Sequence, residues 1–107
     1  MARPARKTAP DRASVLSALR ASSSSLRERF GVRQIGLFGS VARDEGKPRS
    51  DVDVLVTLDH PTYDGYLDLK EYLEGLVGAK VDLVLEDALK PRLRPHVLAE
   101  VIDATVG

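Results

Sequence analysis

Residues 51–58 read Asp-Val-Asp-Val-Leu-Val-Thr-Leu, a β-branched run that is apolar on both faces beyond its start. A strand able to bury both faces belongs in the middle of a sheet. Its head is different. Side chains alternate along a strand, so Asp51 and Asp53 point to the same face. Two carboxylates so close repel one another, and burial makes the repulsion worse. Water or a divalent cation has to compensate. Oxygen ligands suit a hard ion such as Mg2+, which keeps waters and shares its coordination with substrate phosphates. Taken alone, an Asp-x-Asp pair also fits a polar strand end at the surface.

Helices and further strands alternate around that run. A helix is expected over residues 11–30, with Val15, Leu19, Leu26 and Phe30 on one face and Gly31 as its stop. The serines at 22–25 are weak helix formers and should fray or bend it. Residues 33–38 have strand length, and Gly39-Ser40 ends them abruptly. Ser40 is expected to cap a short helix through Val41, Ala42 and Arg43. Gly46, Pro48 and Ser50 mark a loop. A second helix is expected over 63–77, where Tyr66, Leu69, Leu73, Leu76 and Val77 share a face and Gly78 ends it. Residues 80–85 form a third strand. A last helix is expected over 95–105, with Val97, Leu98, Val101 and Ile102 turned inward. The order α-β-α-β-α-β-α predicts a mixed α/β or α+β fold, a small mixed sheet packed with helices.

A length of 107 residues fits one domain and one core. Residues 1–10 read as a flexible basic arm and 11–107 as the single domain. With 43% hydrophobic and 30% charged residues, the chain is globular. No apolar run approaches the roughly 18 residues of a membrane span. The basic N-terminus has no apolar stretch behind it, so it is not a secretory signal. Without cysteine there are no disulfides or thiolate metal sites. These features make a cytoplasmic protein the expectation. Charge is split: residues 1–49 hold 11 Lys+Arg against 4 Asp+Glu, and residues 50–107 hold 5 against 12. The split fits two solvated faces of opposite sign. It equally fits cations gathered near a polyphosphate and carboxylates gathered near a metal.

Two further features bear on chemistry. A glycine at the strand–Gly39-Ser40–helix turn lets the backbone approach a ligand. Ser40 offers a hydroxyl, and the free N–H groups that follow favour an anion such as a triphosphate. An ordinary capped turn would look the same. Asp82, in Lys80-Val81-Asp82-Leu83-Val84, is an acid among strand-forming apolar residues. It fits an edge strand with the side chain facing water. It also fits a third carboxylate beside Asp53, able to bind a second metal or take a proton from an attacking hydroxyl.

Together these residues resemble a known family. The run from Leu37 to Thr57, LFGSVARDEGKPRSDVDVLVT, is similar to the signature of the DNA polymerase β-like nucleotidyltransferases: Gly-Ser, about ten residues, then Asp-x-Asp. More narrowly it resembles the minimal nucleotidyltransferase (MNT) proteins. Val81-Asp82-Leu83-Val84 and the tail Leu89-Lys90-Pro91-Arg92-Leu93-Arg94 support this. The resemblance covers about residues 30–101. It implies a nucleotidyltransferase fold and the role of antitoxin in a HEPN–MNT toxin–antitoxin pair, transferring AMP from ATP to a tyrosine of the HEPN ribonuclease toxin. It implies that Gly39 and Ser40 hold the phosphates, with Arg43 in the same motif. It implies that Asp51, Asp53 and Asp82 serve as catalytic carboxylates and metal ligands for Mg2+. The family often reads Ala-Arg-Gly after Gly-Ser; here Ala42-Arg43 is followed by Asp44-Glu45, two acids that either alter the loop or face solvent.

The expected mechanism is in-line displacement of pyrophosphate, with Asp82 or a metal activating the acceptor hydroxyl. Lys47 and Arg49 are either electrostatic helpers or a solvated loop. So small a domain has little surface beyond a nucleotide cleft, so a macromolecular acceptor is expected. Tyr63, Tyr66 and Tyr72 are read as packing or surface residues, and His60 and His96 as structural. Arg92, Arg94 and the last helix either touch the partner or close the core. Two rival readings remain. One is an antitoxin that neutralises its partner by binding alone. The other, less favoured, is nucleic-acid contact through Arg3, Arg6, Lys7 and Arg12; neither a recognition helix nor an aromatic platform supports it.

Overall fold

The computed structural model describes residues 10–47 and 50–105. Helix α1 runs Arg12–Ala21 and α2 runs Ser23–Phe30. Strand β1 (Val32–Phe38) follows, then the short α3 (Gly39–Ala42) and strand β2 (Val52–Leu58). Helix α4 (Tyr63–Val77) leads to β3 (Val81–Leu85), a single 3-10 turn (Glu86–Ala88), α5 (Arg94–Glu100) and β4 (Ile102–Asp103). The four strands stand in the order β3-β2-β1-β4. Strand β1 is antiparallel to both β2 and β4, while β2 and β3 are parallel. The sheet is therefore mixed, and the expected α+β layers are present.

Local chemistry sets most boundaries. The Asp11 carboxylate accepts the Ser14 N–H at 2.9 Å and starts α1. The Thr62 hydroxyl accepts the Gly65 N–H at 3.0 Å and starts α4. Helices α2 and α4 stop where Gly31 and Gly78 take positive φ. The serine run does more than bend the first helix. The chain leaves helical geometry at Ser22, so the single helix expected over 11–30 is two helices.

The core lies on one side of the sheet. Val52, Val54 and Val56 of β2 are buried there with Ile35 and Leu37 of β1. Helices α1, α2 and α4 cover them with Leu19, Leu26, Leu69 and Leu73, all essentially inaccessible. By strand alternation Asp53, Leu55 and Thr57 face the other way. That second face is only lightly covered, by α5 and the chain leading into β4. A cavity of about 150 Å3 remains between them, bounded by Gly36, Leu55, Thr57, Leu98 and Val101.

The C-terminal segment corrects the expectation for 95–105. Helix α5 ends at Glu100, Val101 is extended at φ −64° and ψ 137°, and Ile102–Asp103 pair with Leu37 and Gly36 as an edge strand. Leu98 is not turned inward but 41% exposed. Edge pairing wins over helical periodicity because the free side of β1 offers unpaired backbone groups. Gly36 permits the approach, since a Cβ there would lie 2.6 Å from Val101 Cγ2. Residues 1–9 of the expected arm, with Arg3, Arg6 and Lys7, lie outside the described residues, as does Arg49. Two members of that basic segment are part of the fold: Pro10 is buried, and Arg12 donates to the Ala42 carbonyl at 3.3 Å.

Asp44 is the one described non-glycine residue with positive φ, at 63°. It stands where glycine often follows Ala-Arg in the motif, and the left-handed turn after α3 is the reason glycine suits that place. Aspartate tolerates the region better than most residues, but at a cost. Asp44→Gly is expected to stabilise the fold by about 0.5–1 kcal/mol. Thermal melts followed by circular dichroism should show a Tm gain of a few degrees, and an unchanged or lower Tm would contradict the strain at this residue.

Candidate active site

The site forms where β1 stops beside the start of β2. Antiparallel register sets Phe38 opposite Asp53, and the chain then turns at Gly39 with φ 79°. A Cβ at Gly39 would collide with the Asp53 carboxylate, lying 2.8 Å from its Cγ. Glycine is needed twice here: for the backbone conformation and for the space that the carboxylate occupies. The Gly-Ser turn and the Asp-x-Asp strand, ten residues apart in sequence, are thus in direct contact.

Parallel register between β2 and β3 then places Asp82 beside Asp53. The two carboxyl groups are neighbours across the strand pair, close enough for Asp82 to act on Asp53. Asp53 is half-buried, and its pKa is pushed up to about 6. Burial is the largest cause, followed by the charge and hydrogen bond of Asp82 and the charges of Asp51 and Glu100. Asp82 itself is exposed on edge strand β3, so it both faces water and lies beside Asp53. Asp51 is exposed just before β2 and acts on Asp53 through its charge.

Ser40 does not cap α3. The helix begins at Gly39, two residues before the expected Val41; Phe38 is its extended N-cap, and no side chain bonds the cap. The positive φ of Gly39 turns the chain into the helix before Ser40, leaving the serine half-exposed within the first turn. Its carbonyl accepts the Glu45 N–H at 2.8 Å. Arg43 is exposed and bound to two acids. Its Nε lies 3.0 Å from Glu45 Oε1, and one terminal nitrogen donates to Glu100 Oε1 and Oε2 at 3.0 and 3.2 Å. The acids after Arg43 therefore divide: Asp44 makes the turn, and Glu45 holds the arginine.

Glu100 is the site residue that sequence reasoning missed. Besides holding Arg43, its Oε1 accepts the Gly39 N–H at 2.7 Å. A signal did exist. Glu100 closes α5, and helix C-termini favour cations over acids. Extending the helix to 105 placed Glu100 mid-helix and hid the anomaly.

Other candidates fall away from the site. Tyr66 donates to the Leu83 carbonyl at 2.6 Å, Tyr72 packs on Phe30 with ring centroids 5.1 Å apart, and Tyr63 is 76% exposed. His60, His96, Arg92 and Lys47 are exposed. Arg94 holds Glu86 at 2.6 Å, which ties α5 to the end of β3 rather than to the carboxylates. Among the described residues, no group of three or more His, Cys, Asp or Glu side chains is gathered to hold a metal by itself. The donor chemistry nevertheless fits one. Asp53 and Asp82 are hard oxygen donors set side by side, and a Mg2+ ion completed by water and phosphate oxygens would offset their repulsion.

With the Gly-Ser turn set against the in-register carboxylates, residues 19–104 match the family described as nucleotidyltransferase domain, and the chain belongs to that family. A protein adenylyltransferase, MntA of Thermococcus cleftensis, is 49% identical over 87 residues, spanning 80% of this chain and 88% of that protein. A Methanocaldococcus jannaschii protein assigned as a protein adenylyltransferase is 38% identical over 86 residues, 78% of this chain and 88% of its own. A solved structure assigned as a minimal nucleotidyltransferase superposes with TM-score 0.71 at 45% identity, covering 81% of this chain and 90% of that one. The fold is also that of a chain in the complex of a tri-AMPylated Shewanella oneidensis HEPN toxin with its MNT antitoxin. There the TM-score is 0.62 at 18% identity, over 86% and 73% of the two chains. Among the described residues, no helix is long and apolar enough to cross a membrane.

The raised pKa of Asp53 carries a sign. Its folded value of about 6 lies above the ordinary 3.8, so the fold binds the proton more tightly than the unfolded chain. Stability is highest at low pH for this group and falls as pH rises from about 4 to about 6. Asp53→Asn should therefore stabilise the metal-free protein at pH 7. After allowance for solvent screening the gain is about 1 kcal/mol, or roughly 5 °C in Tm. Melts at pH 7 and pH 4 check this: the gap should narrow at pH 4, and a pH-independent gap would contradict the titration.

Proposed function

We propose that this nucleotidyltransferase is a Mg2+-dependent antitoxin that transfers AMP from ATP to a tyrosine hydroxyl of a HEPN-type ribonuclease toxin. The observation that carries this reading is the contact between Gly39 and the Asp53 carboxylate, which puts a phosphate-approachable turn against a paired acid. The names of the relatives supply adenylate as the transferred group and protein as the acceptor. A solved toxin–antitoxin complex with AMP-PNP, similar in fold at 20% identity with TM-score 0.68 over 82% of this chain, supports ATP as donor.

In this reading the Gly39 amide, the Ser40 hydroxyl and the Arg43 guanidinium hold the polyphosphate. Asp51, Asp53 and Asp82 are the residues that would hold Mg2+, which offsets charge on the phosphate oxygens and the departing pyrophosphate. The tyrosine oxygen forms a bond to the α-phosphorus as the bond from that phosphorus to the bridging oxygen breaks. Pyrophosphate leaves with the bonding electrons. Asp82, exposed at the sheet edge, takes the hydroxyl proton. Among the described residues, Asp82 stands open at the sheet edge, which suits a hydroxyl presented by a second protein.

The test is intact-mass spectrometry of the toxin after co-expression with this chain. One or more AMP additions are expected on the toxin, localised to tyrosine by fragmentation. Asp51→Asn with Asp53→Asn should lower transfer at least about 100-fold, since both remove charge facing the reacting phosphate. A toxin that stays unmodified yet neutralised by both versions would replace this reading with inhibition by binding alone.

A further inference from the structure

Two of the three groups assigned above to the polyphosphate, the Gly39 amide and Arg43, are already engaged by the chain itself. Glu100 Oε1 takes the Gly39 N–H at 2.7 Å, and both Glu100 oxygens take Arg43 at 3.0 and 3.2 Å. A carboxylate edge and a phosphate edge accept hydrogen bonds in the same way, so the same donors cannot serve both. Glu100 also brings a further negative charge to a cluster that includes Asp51, Asp53 and Asp82. Such a charge opposes an incoming polyphosphate.

The placement of this acid is not explained by its helix. It closes α5, whose last turn has no basic residue, beside carbonyls that disfavour an acid. The helix is also lightly held. No residue of α5 is buried, Leu98 is 41% exposed, and the cavity of about 150 Å3 lies beneath it. Its ties are Arg94 to Glu86 at one end and Glu100 to Gly39 and Arg43 at the other. The Glu100 carboxylate has solvent on one side, with its side chain 33% exposed, so it has somewhere to go when displaced.

We propose that Glu100 is an internal stand-in for the nucleotide polyphosphate, holding the Gly39 amide and Arg43 until ATP displaces it. The inference rests on the nucleotidyltransferase reading of the site. It assigns Glu100 a positioning role: the phosphate-binding groups stay ordered without nucleotide, and binding is weakened by the fraction of molecules in which Glu100 is in place. If Glu100 occupies its place about nine-tenths of the time, its removal tightens ATP about tenfold.

The experiment is calorimetric titration of the full chain with AMP-PNP and Mg2+, comparing wild type with Glu100→Gln and Glu100→Asp. The glutamine keeps the size and removes the charge. The aspartate keeps the charge but is one methylene too short to span both partners. Both variants are expected to bind the nucleotide about tenfold more tightly while melting at lower temperature without it. That opposite movement of affinity and Tm separates a stand-in from a brace, whose loss would weaken both. Arg43→Ala should bind more weakly than wild type, as expected of a phosphate ligand. If wild type binds but the two Glu100 variants bind equally well or worse, the stand-in is wrong and the nucleotide site remains. If no version binds nucleotide, the reading of the site fails, and the role of Glu100 fails with it.

Discussion

The contact on which the site depends is the one between the missing side chain of Gly39 and the Asp53 carboxylate. It forms only if β1 and β2 are antiparallel in the observed register, with Phe38 opposite Asp53. A one-residue slip would turn Asp53 into the helical core and expose Val52 and Val54 on the open face. The buried valines of β2 therefore do more than fill space. By committing one face of the strand to the core, they fix the direction of the alternate residues, and Asp53 is the first of these. Parallel pairing with β3 extends the same logic to Asp82.

The arrangement is held against its own electrostatics. Asp53 is half-buried among like charges, and its carboxyl keeps a proton well above the ordinary range. Nothing in folding requires that strain. A domain whose core already packs tightly beneath the sheet can tolerate it, because Leu19, Leu37, Leu69 and Leu73 lie far from water on the opposite side. Core and site thus occupy opposite faces of one sheet. One face is closed by three helices, and the face that carries Asp53 is left to a short helix and the chain leading into β4.

Much of this was legible in the chain. The β2 run, α4 and the ends set by Gly31 and Gly78 follow from periodicity and capping, which act over a few residues. The pairing of Gly39-Ser40 with Asp51 and Asp53 was legible as spacing and resemblance. Their physical contact needed the register. The illegible parts are tertiary. Helical periodicity over 95–105 concealed β4, which exists because β1 has a free edge for it. With β4 came the true end of α5 and the role of Glu100, 61 residues from the glycine it caps. Ser40 lies inside the helix rather than at its cap for a local reason: a glycine conformation moves the helix start by two residues.

Asp82 lies on a border strand, with one flank of β3 unpaired. Among the described residues, the paired carboxylates therefore sit on a ledge rather than in a pocket. In a pocket, the enzyme's own walls choose what enters. On a ledge, the incoming surface supplies the missing wall, and only a surface that fits around the carboxylates can bring a hydroxyl within reach. Under the proposed function, discrimination between acceptors would then be written mainly in the acceptor's contours, and a relative could change its target by altering the rim of the domain while Gly39, Asp53 and Asp82 stay as they are.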